Sequence, residues 1–158
     1  MNKKAIVVLL GLLTMSTAGF AKGIAIGAEA ASRGFNSWGG RFVFHLPSVP
    51  LYFGVGATSN AGTVAIDATV DYWLAHGHVA SILDGYIGIG LYGAVASSGN
   101  FDFAIGARLP LGLQIWPIKG DVLEIFLEVA PAWIPLSNAG LNATTFELQP
   151  AIGFRIWF

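Results

Sequence analysis

The 158-residue chain has no cysteine, and only 11% of its residues are charged. The first absence excludes disulfides, thiolate nucleophiles and cysteine metal sites. The second lies far below the roughly 25% charged content of ordinary soluble domains. Combined with 54% hydrophobic residues, it makes a soluble enzyme an awkward fit. There is no basic excess either: eight Lys and Arg stand against nine Asp and Glu, so the electrostatic footprint of a nucleic-acid binder is missing. A chain of this length is one domain. Beyond the N-terminal segment there is also no uninterrupted apolar run that reads as a membrane-crossing helix. Leu46 to Ile66 is uncharged for 21 residues, but it contains Pro47, Pro50, three glycines and Ser59-Asn60-Ala61-Gly62. Val129 to Phe146 is broken by Pro131, Pro135 and Ser137-Asn138-Ala139-Gly140. A helix does not run through such punctuation.

The N-terminus reads as a processing segment. Met1 to Lys4 carries two lysines, Ala5 to Leu13 is apolar, and Gly19-Phe20-Ala21 places small residues where a signal peptidase cuts. The competing reading is a membrane anchor. The uncharged stretch from Ala5 to Ala21 is only 17 residues and ends in small residues, which favours a signal peptide over residues 1–21, cleaved before Lys22. The mature domain is then 22–158, exported from the cytoplasm, with six basic and nine acidic side chains.

What is present is alternation. In a strand, successive side chains face opposite sides with a period of two. From Phe101 to Ile115 the odd positions read Phe, Phe, Ile, Ala, Leu, Leu, Leu, Ile, while the even ones include Asp102, Gly106, Arg108, Gly112 and Gln114. The last segment repeats the pattern, with Phe146, Leu148, Ile152, Phe154, Ile156 and Phe158 against Glu147, Gln149 and Arg155. Eight strands are expected, near 23–31, 38–46, 51–58, 64–75, 83–95, 101–116, 122–135 and 145–158. The connections between them are short and rich in turn formers, among them Ser32 to Ser37, Pro47 to Pro50, Ser59 to Thr63, His76 to Ile82 and Leu136 to Thr144.

The placement of charge decides which face meets water. With the apolar face toward lipid, the inward set is Glu29, Arg41, His45, Asp67, Asp71, Asp102, Arg108, Glu124, Glu128, Glu147 and Arg155. A charge on the lipid side of a barrel costs about 2–4 kcal/mol for Arg or Lys near the midplane, so a bilayer enforces this segregation. A soluble sandwich shows the opposite sense. Strands satisfy their backbone hydrogen bonds in lipid only by closing on themselves. The expected fold is therefore all-β, an eight-stranded antiparallel up-and-down transmembrane β-barrel in the outer membrane of a Gram-negative-type envelope. Its termini are expected in the periplasm. Trp38, Trp73, Trp116, Trp133 and Trp157 fall toward strand ends and are expected to form interfacial girdles.

Ile152, Phe154, Ile156 and the terminal Phe158 resemble the C-terminal signal of bacterial outer-membrane barrels, which implies recognition by the barrel-assembly machinery, with periplasmic chaperones on the way. Four further stretches are Asp71-Tyr72-Trp73-Leu74, Leu83 to Gly90, Gly106 to Leu113 and Glu124 to Pro131. With them the mature chain resembles a family of small, uncharacterised outer-membrane barrels akin to the OmpA/OmpX-type eight-stranded proteins. The resemblance implies a fold and a location and assigns no activity.

Several motifs carry less than they suggest. Gly88-Ile89-Gly90-Leu91-Tyr92-Gly93 matches a dinucleotide fingerprint, but the motif needs a following helix and this run keeps alternating. Inward glycines (Gly27, Gly54, Gly56, Gly88, Gly90, Gly106, Gly153) instead make room for Tyr52, Tyr86, Tyr92 and the arginines. His76-Gly77-His78 has metal-pair spacing but no clear third ligand, so an ordinary periplasmic turn is expected. Asp67/Asp71 and Glu124/Glu128 share a face and suit an acid and base couple. The favoured reading is an ion network with Arg41, Arg108 and Arg155, because buried charges must be paired. Seven inward carboxylates against three arginines leave that network short of cations, so some carboxylates are expected to be protonated, hydrated or cation-bound. Ser137-Asn138-Ala139-Gly140 resembles the serine segment of lipid A deacylases, but the position of that family's histidine falls on Pro135, which cannot act as a base.

The functional expectation is a monomeric barrel with outer-membrane lipids as its surroundings and a structural or surface-interaction role. It needs no cofactor, metal or catalytic residue, and eight strands leave no open pore. The alternative is a barrel that binds or passes a small apolar ligand, for which Pro131 and Pro135 would weaken the wall. Lipid A modification is third.

Overall fold

A computed structural model describes residues 23–47, 49–60, 62–80, 82–97, 101–118, 120–138 and 146–158. The expected leader and the loop around Ala139-Gly140 lie outside the described residues. The described residues form nine strands: β1 Ala25–Ser32, β2 Trp38–Leu46, β3 Val49–Asn60, β4 Thr63–Ala80, β5 Leu83–Ser97, β6 Phe101–Arg108, β7 Leu111–Ile115, β8 Leu123–Ser137 and β9 Phe146–Trp157. No helix among the described residues is long and apolar enough to cross a membrane. All pairings are antiparallel. β4 pairs with β5 in addition to β3, and β1 pairs with β9 from Ala25↔Trp157 to Ala31↔Ala151. These pairings leave no free edge, which is how strands satisfy their backbone in lipid.

The ring has eight positions, because β6 and β7 are two halves of one. Leu109 and Pro110 interrupt the strand expected over 101–116, since proline cannot donate to the ladder. The Leu109 amide and the Pro110 carbonyl still bond to the neighbouring strands, at 2.9 Å to Pro131 and 2.8 Å from Gly88. β3 and β4 are joined by a two-residue turn, with Asn60 paired to Thr63 and Gly62 at φ +87°, a conformation that glycine adopts without steric cost.

Alternation sets the burial. On β1, inward residues of Ala25–Ser32 alternate with exposed ones, and the same holds on β8 and β9. Ile26, Phe42, Val55, Ile66, Leu91, Ile105, Leu127, Ile152 and Phe154 are exposed and form the outer wall. Two expectations are corrected here. His76-Gly77-His78 is not a turn: β4 continues to Ala80 and pairs with β5 across two bulges, so the hairpin projects further than the apolar pattern suggested. The tryptophans do not all form girdles. Trp38 and Trp133 face outward at 52% and 51% exposure, but Trp73 and Trp157 are buried at 3% and 8%, and Trp116 packs against them. Trp73 shares the parity of Asp71, and Trp157 that of Arg155, so the alternation that sends the charges inward sends these rings inward too.

Candidate functional site

The described inward side chains are arranged in tiers. At the end of the barrel where β1 begins and β9 ends, the inward rings stack. Tyr52 lies 3.7 Å from Trp73 at 12°, Trp73 lies 4.1 Å from Tyr86 at 14°, and His45 lies 4.6 Å from Tyr52 and 5.3 Å from Trp157. Cross-strand register assembles this tier, since His45 pairs with Tyr52 and Trp73 stands opposite Gly88. Small residues admit the large ones. A Cβ on Gly112 would come within 2.0 Å of the Tyr86 ring, so this glycine, absent from the set expected to make room, is the one that lets Tyr86 lie flat.

Above the rings come the charges. Arg155 sits with its guanidinium carbon 4.0 Å from the Phe126 ring centre and 5.1 Å from that of Tyr52. It donates to Glu124, which also accepts from Gln114 at 2.5 Å and from the Trp157 indole at 2.8 Å. Arg108 pairs with Asp71, at 3.1 Å, and with Glu128, and it reaches Gln149 at 3.3 Å. The Tyr86 hydroxyl donates to Glu128 at 2.6 Å. Arg41 holds Glu29, at 3.1 Å, and Asp67. These ion pairs have a definite division. Each same-face couple is split: Asp67 goes to Arg41 and Asp71 to Arg108, Glu124 to Arg155 and Glu128 to Arg108. Charges this deeply buried are tolerable only with such pairing.

Asp102 and Glu147 also face inward, toward the outer end. Arg33, expected in a loop, is buried there at 7% beside Tyr92 and adds a fourth interior cation. Gln114, Gln149, Tyr86, Phe126 and Trp157 complete the network without having been singled out in the sequence. Their parity signalled the direction they face, but no spacing rule gives a partner on another strand.

The His76–His78 segment is tied to Asp84 and Gln114. His78 Nδ1 lies 2.9 Å from Asp84 Oδ1, the Trp116 indole donates to Asp84 Oδ2 at 2.9 Å, and His76 Nε2 lies 2.8 Å from Gln114 Oε1. Among the described residues no group of three His, Asp or Glu side chains is arranged to hold a metal ion. Asp84 lies in the projecting end of the β4–β5 hairpin, past the aromatic tier. Partial burial there pushes its carboxyl pKa up, but the bonds from His78 and Trp116 outweigh this and hold it below the usual value. The glycine run 88–93 lies within β5, with no helix after it. Ser137 is exposed at the end of β8. Its neighbour Asn138 ties that end to β6, accepting from the Phe103 amide at 2.8 Å and donating to the Phe101 carbonyl at 2.9 Å.

One seam is irregular. β6 meets β8 through four residue pairs with a register shift between Ile105 and Ala107. Just below, Leu109-Pro110 faces Pro131, and a notch of about 230 Å³ is lined by Ala107, Arg108, Leu109, Pro131, Trp133 and Phe146.

Two solved structures share this architecture. The N-terminal β-barrel domain of Pseudomonas aeruginosa OprF superposes with a TM-score of 0.54 at 12% identity, covering 85% of this chain and 96% of that one. Neisserial surface protein A superposes with a TM-score of 0.52 at 17% identity, covering 85% and 97%. The fold is that of the small eight-stranded outer-membrane barrels. At these identities the likeness concerns fold alone. No protein-family model matches the chain, and no curated protein does.

Proposed function

We propose that residues 22–158 form an exported, integral outer-membrane barrel, monomeric and closed to ion flow, that acts structurally or through surface contacts at the cell exterior. The observation that supports this reading is an inward arginine–carboxylate network beside a stacked aromatic tier. The apolar outer wall supports a lipid surrounding, and outward Ile152, Phe154, Ile156 and Phe158 support recognition by the assembly machinery. The carboxylates that could act as acid and base are each engaged by arginine, so the reading assigns them no chemistry.

Planar-bilayer recording tests closure. The native barrel is expected to be silent, and the double variant Tyr52→Ala/Trp73→Ala to conduct, because it removes two of the stacked rings. Sustained conductance by the native barrel, or its fractionation away from the outer membrane, refutes the reading. A mature N-terminus other than Lys22 refutes the assigned cleavage site alone.

A second reading has its own observation. The β6–β8 seam, with Pro110, Pro131 and Pro135 beside a notch that reaches Arg108, supports passage or binding of a small apolar molecule through the wall. Mass spectrometry of protein isolated from membranes separates the two, since a stoichiometric co-purifying apolar molecule favours the seam.

A further inference from the structure

The outer wall carries a cup that its alternation alone does not require. Cross-strand register places Val55, Ala68, Gly93 and Ile105 in one row over β3, β4, β5 and β6. The row is large, small, small, large. Ile66, Val95 and Phe103 rise on the side nearer the outer end, and the depression between them measures about 460 Å³, within the range of small-molecule sites.

Gly93 is the telling residue of the floor. A Cβ added to it would meet nothing within 4 Å, and its φ lies outside the left-handed region. Neither backbone geometry nor the barrel interior calls for glycine here, although glycine in a strand interior is disfavoured and often marks close approach of a ligand. Its effect is to keep the cup deep.

We propose that this cup binds one acyl chain of a lipid in the surrounding outer leaflet, an inference that rests on the outer-membrane reading above. Its walls are aliphatic and aromatic side chains; Asp67 also borders the cup, but its carboxylate is buried and turned inward to Arg41. Association of a second copy within lipid gains no hydrophobic drive and relies on close packing and hydrogen bonds, whereas a concave apolar site is filled by a thin, flexible chain. The four described arginines are all buried in the interior, so none of them stands on this wall to hold a headgroup phosphate. Recognition is therefore of the chain and not of the headgroup.

The test uses the folded barrel in mild detergent, given dimyristoyl phosphatidylcholine or dimyristoyl phosphatidylglycerol separately, with retained lipid counted by native mass spectrometry. One lipid per barrel is expected from either headgroup. Gly93→Leu is expected to lower retention at least tenfold and Gly93→Ala to lower it less, while Ala28→Leu, outward on β1, leaves it unchanged. Retention unaffected by Gly93→Leu overturns the proposal, as does retention of the anionic lipid only, or a native dimer that Gly93→Leu abolishes. A heat-modifiability gel on each variant shows whether it is folded. If Gly93→Leu does not fold, Gly93→Ala decides, with unchanged retention counting against the site. Failure of the native chain to fold in lipid at all would fault the barrel reading rather than the cup.

Discussion

Glu124→Gln is the sharpest probe of the interior network. Glu124 is fully buried and accepts from Arg155, Gln114 and the Trp157 indole. The substitution keeps the shape, removes the charge and turns one oxygen into a donor. If the remaining oxygen serves Arg155 and Gln114, the new amide faces the indole N–H, donor against donor. A buried donor left unpaired costs about 1–3 kcal/mol. Arg155 meanwhile loses its ion partner and keeps a neutral hydrogen bond to the amide oxygen and its contacts with the aromatic rings, and breaking one side of a buried pair costs about 3–5 kcal/mol. The two penalties share one carboxylate and do not simply add, so the expected loss is about 3–5 kcal/mol. Urea unfolding in detergent micelles, followed by tryptophan fluorescence with a parallel heat-modifiability gel, measures it. Adding Arg155→Met removes the orphaned charge and should recover much of the loss, since replacing both members of a buried pair is often neutral. A single variant within about 0.5 kcal/mol of the native barrel, the usual range for an unengaged site, would refute the reasoning. So would a double variant no better than the single.

Two further outcomes are expected. Gly112→Ala drives a methyl into the Tyr86 ring, which is held between Trp73 and its bond to Glu128, so overpacking should lower stability by about 1–3 kcal/mol in the same assay. No change would show that the ring can move aside. Asp84 has a lowered pKa, so its contribution is fully present above the unfolded-state value near 3.8 and is lost as pH falls through the lower folded value. Hydrogen-exchange protection of the β4–β5 hairpin, taken relative to the intrinsic rate at each pH, should accordingly fall below about pH 4 in the native barrel. Asp84→Asn should exchange faster already at neutral pH and lack the acid step, and an acid step that persists in this variant would refute the assignment.

Much of the fold was legible because a bilayer imposes a binary rule. The antiparallel ring of eight strand positions follows from alternation and from turn formers at regular intervals. The misjudged elements have specific causes. β4 runs on through His76-Gly77-His78 because these residues pair with β5 in water, where no apolar alternation is needed. The strand over 101–116 breaks at Pro110 because the ring lacks a donor, a local fact that the uninterrupted alternation concealed. Arg33 is buried near Tyr92 although its segment reads as a turn, a placement that periodicity does not give.

The sequence by itself determined the class and the two faces of each strand, since a period of two leaves each side chain only two directions. Only the closed tertiary structure decided partnership. Which arginine takes which carboxylate, which glycine admits which ring, and where Gly93 leaves a cup all depend on register and stagger between strands distant in the chain. Periodicity along one strand contains no information about the residue lying across the barrel.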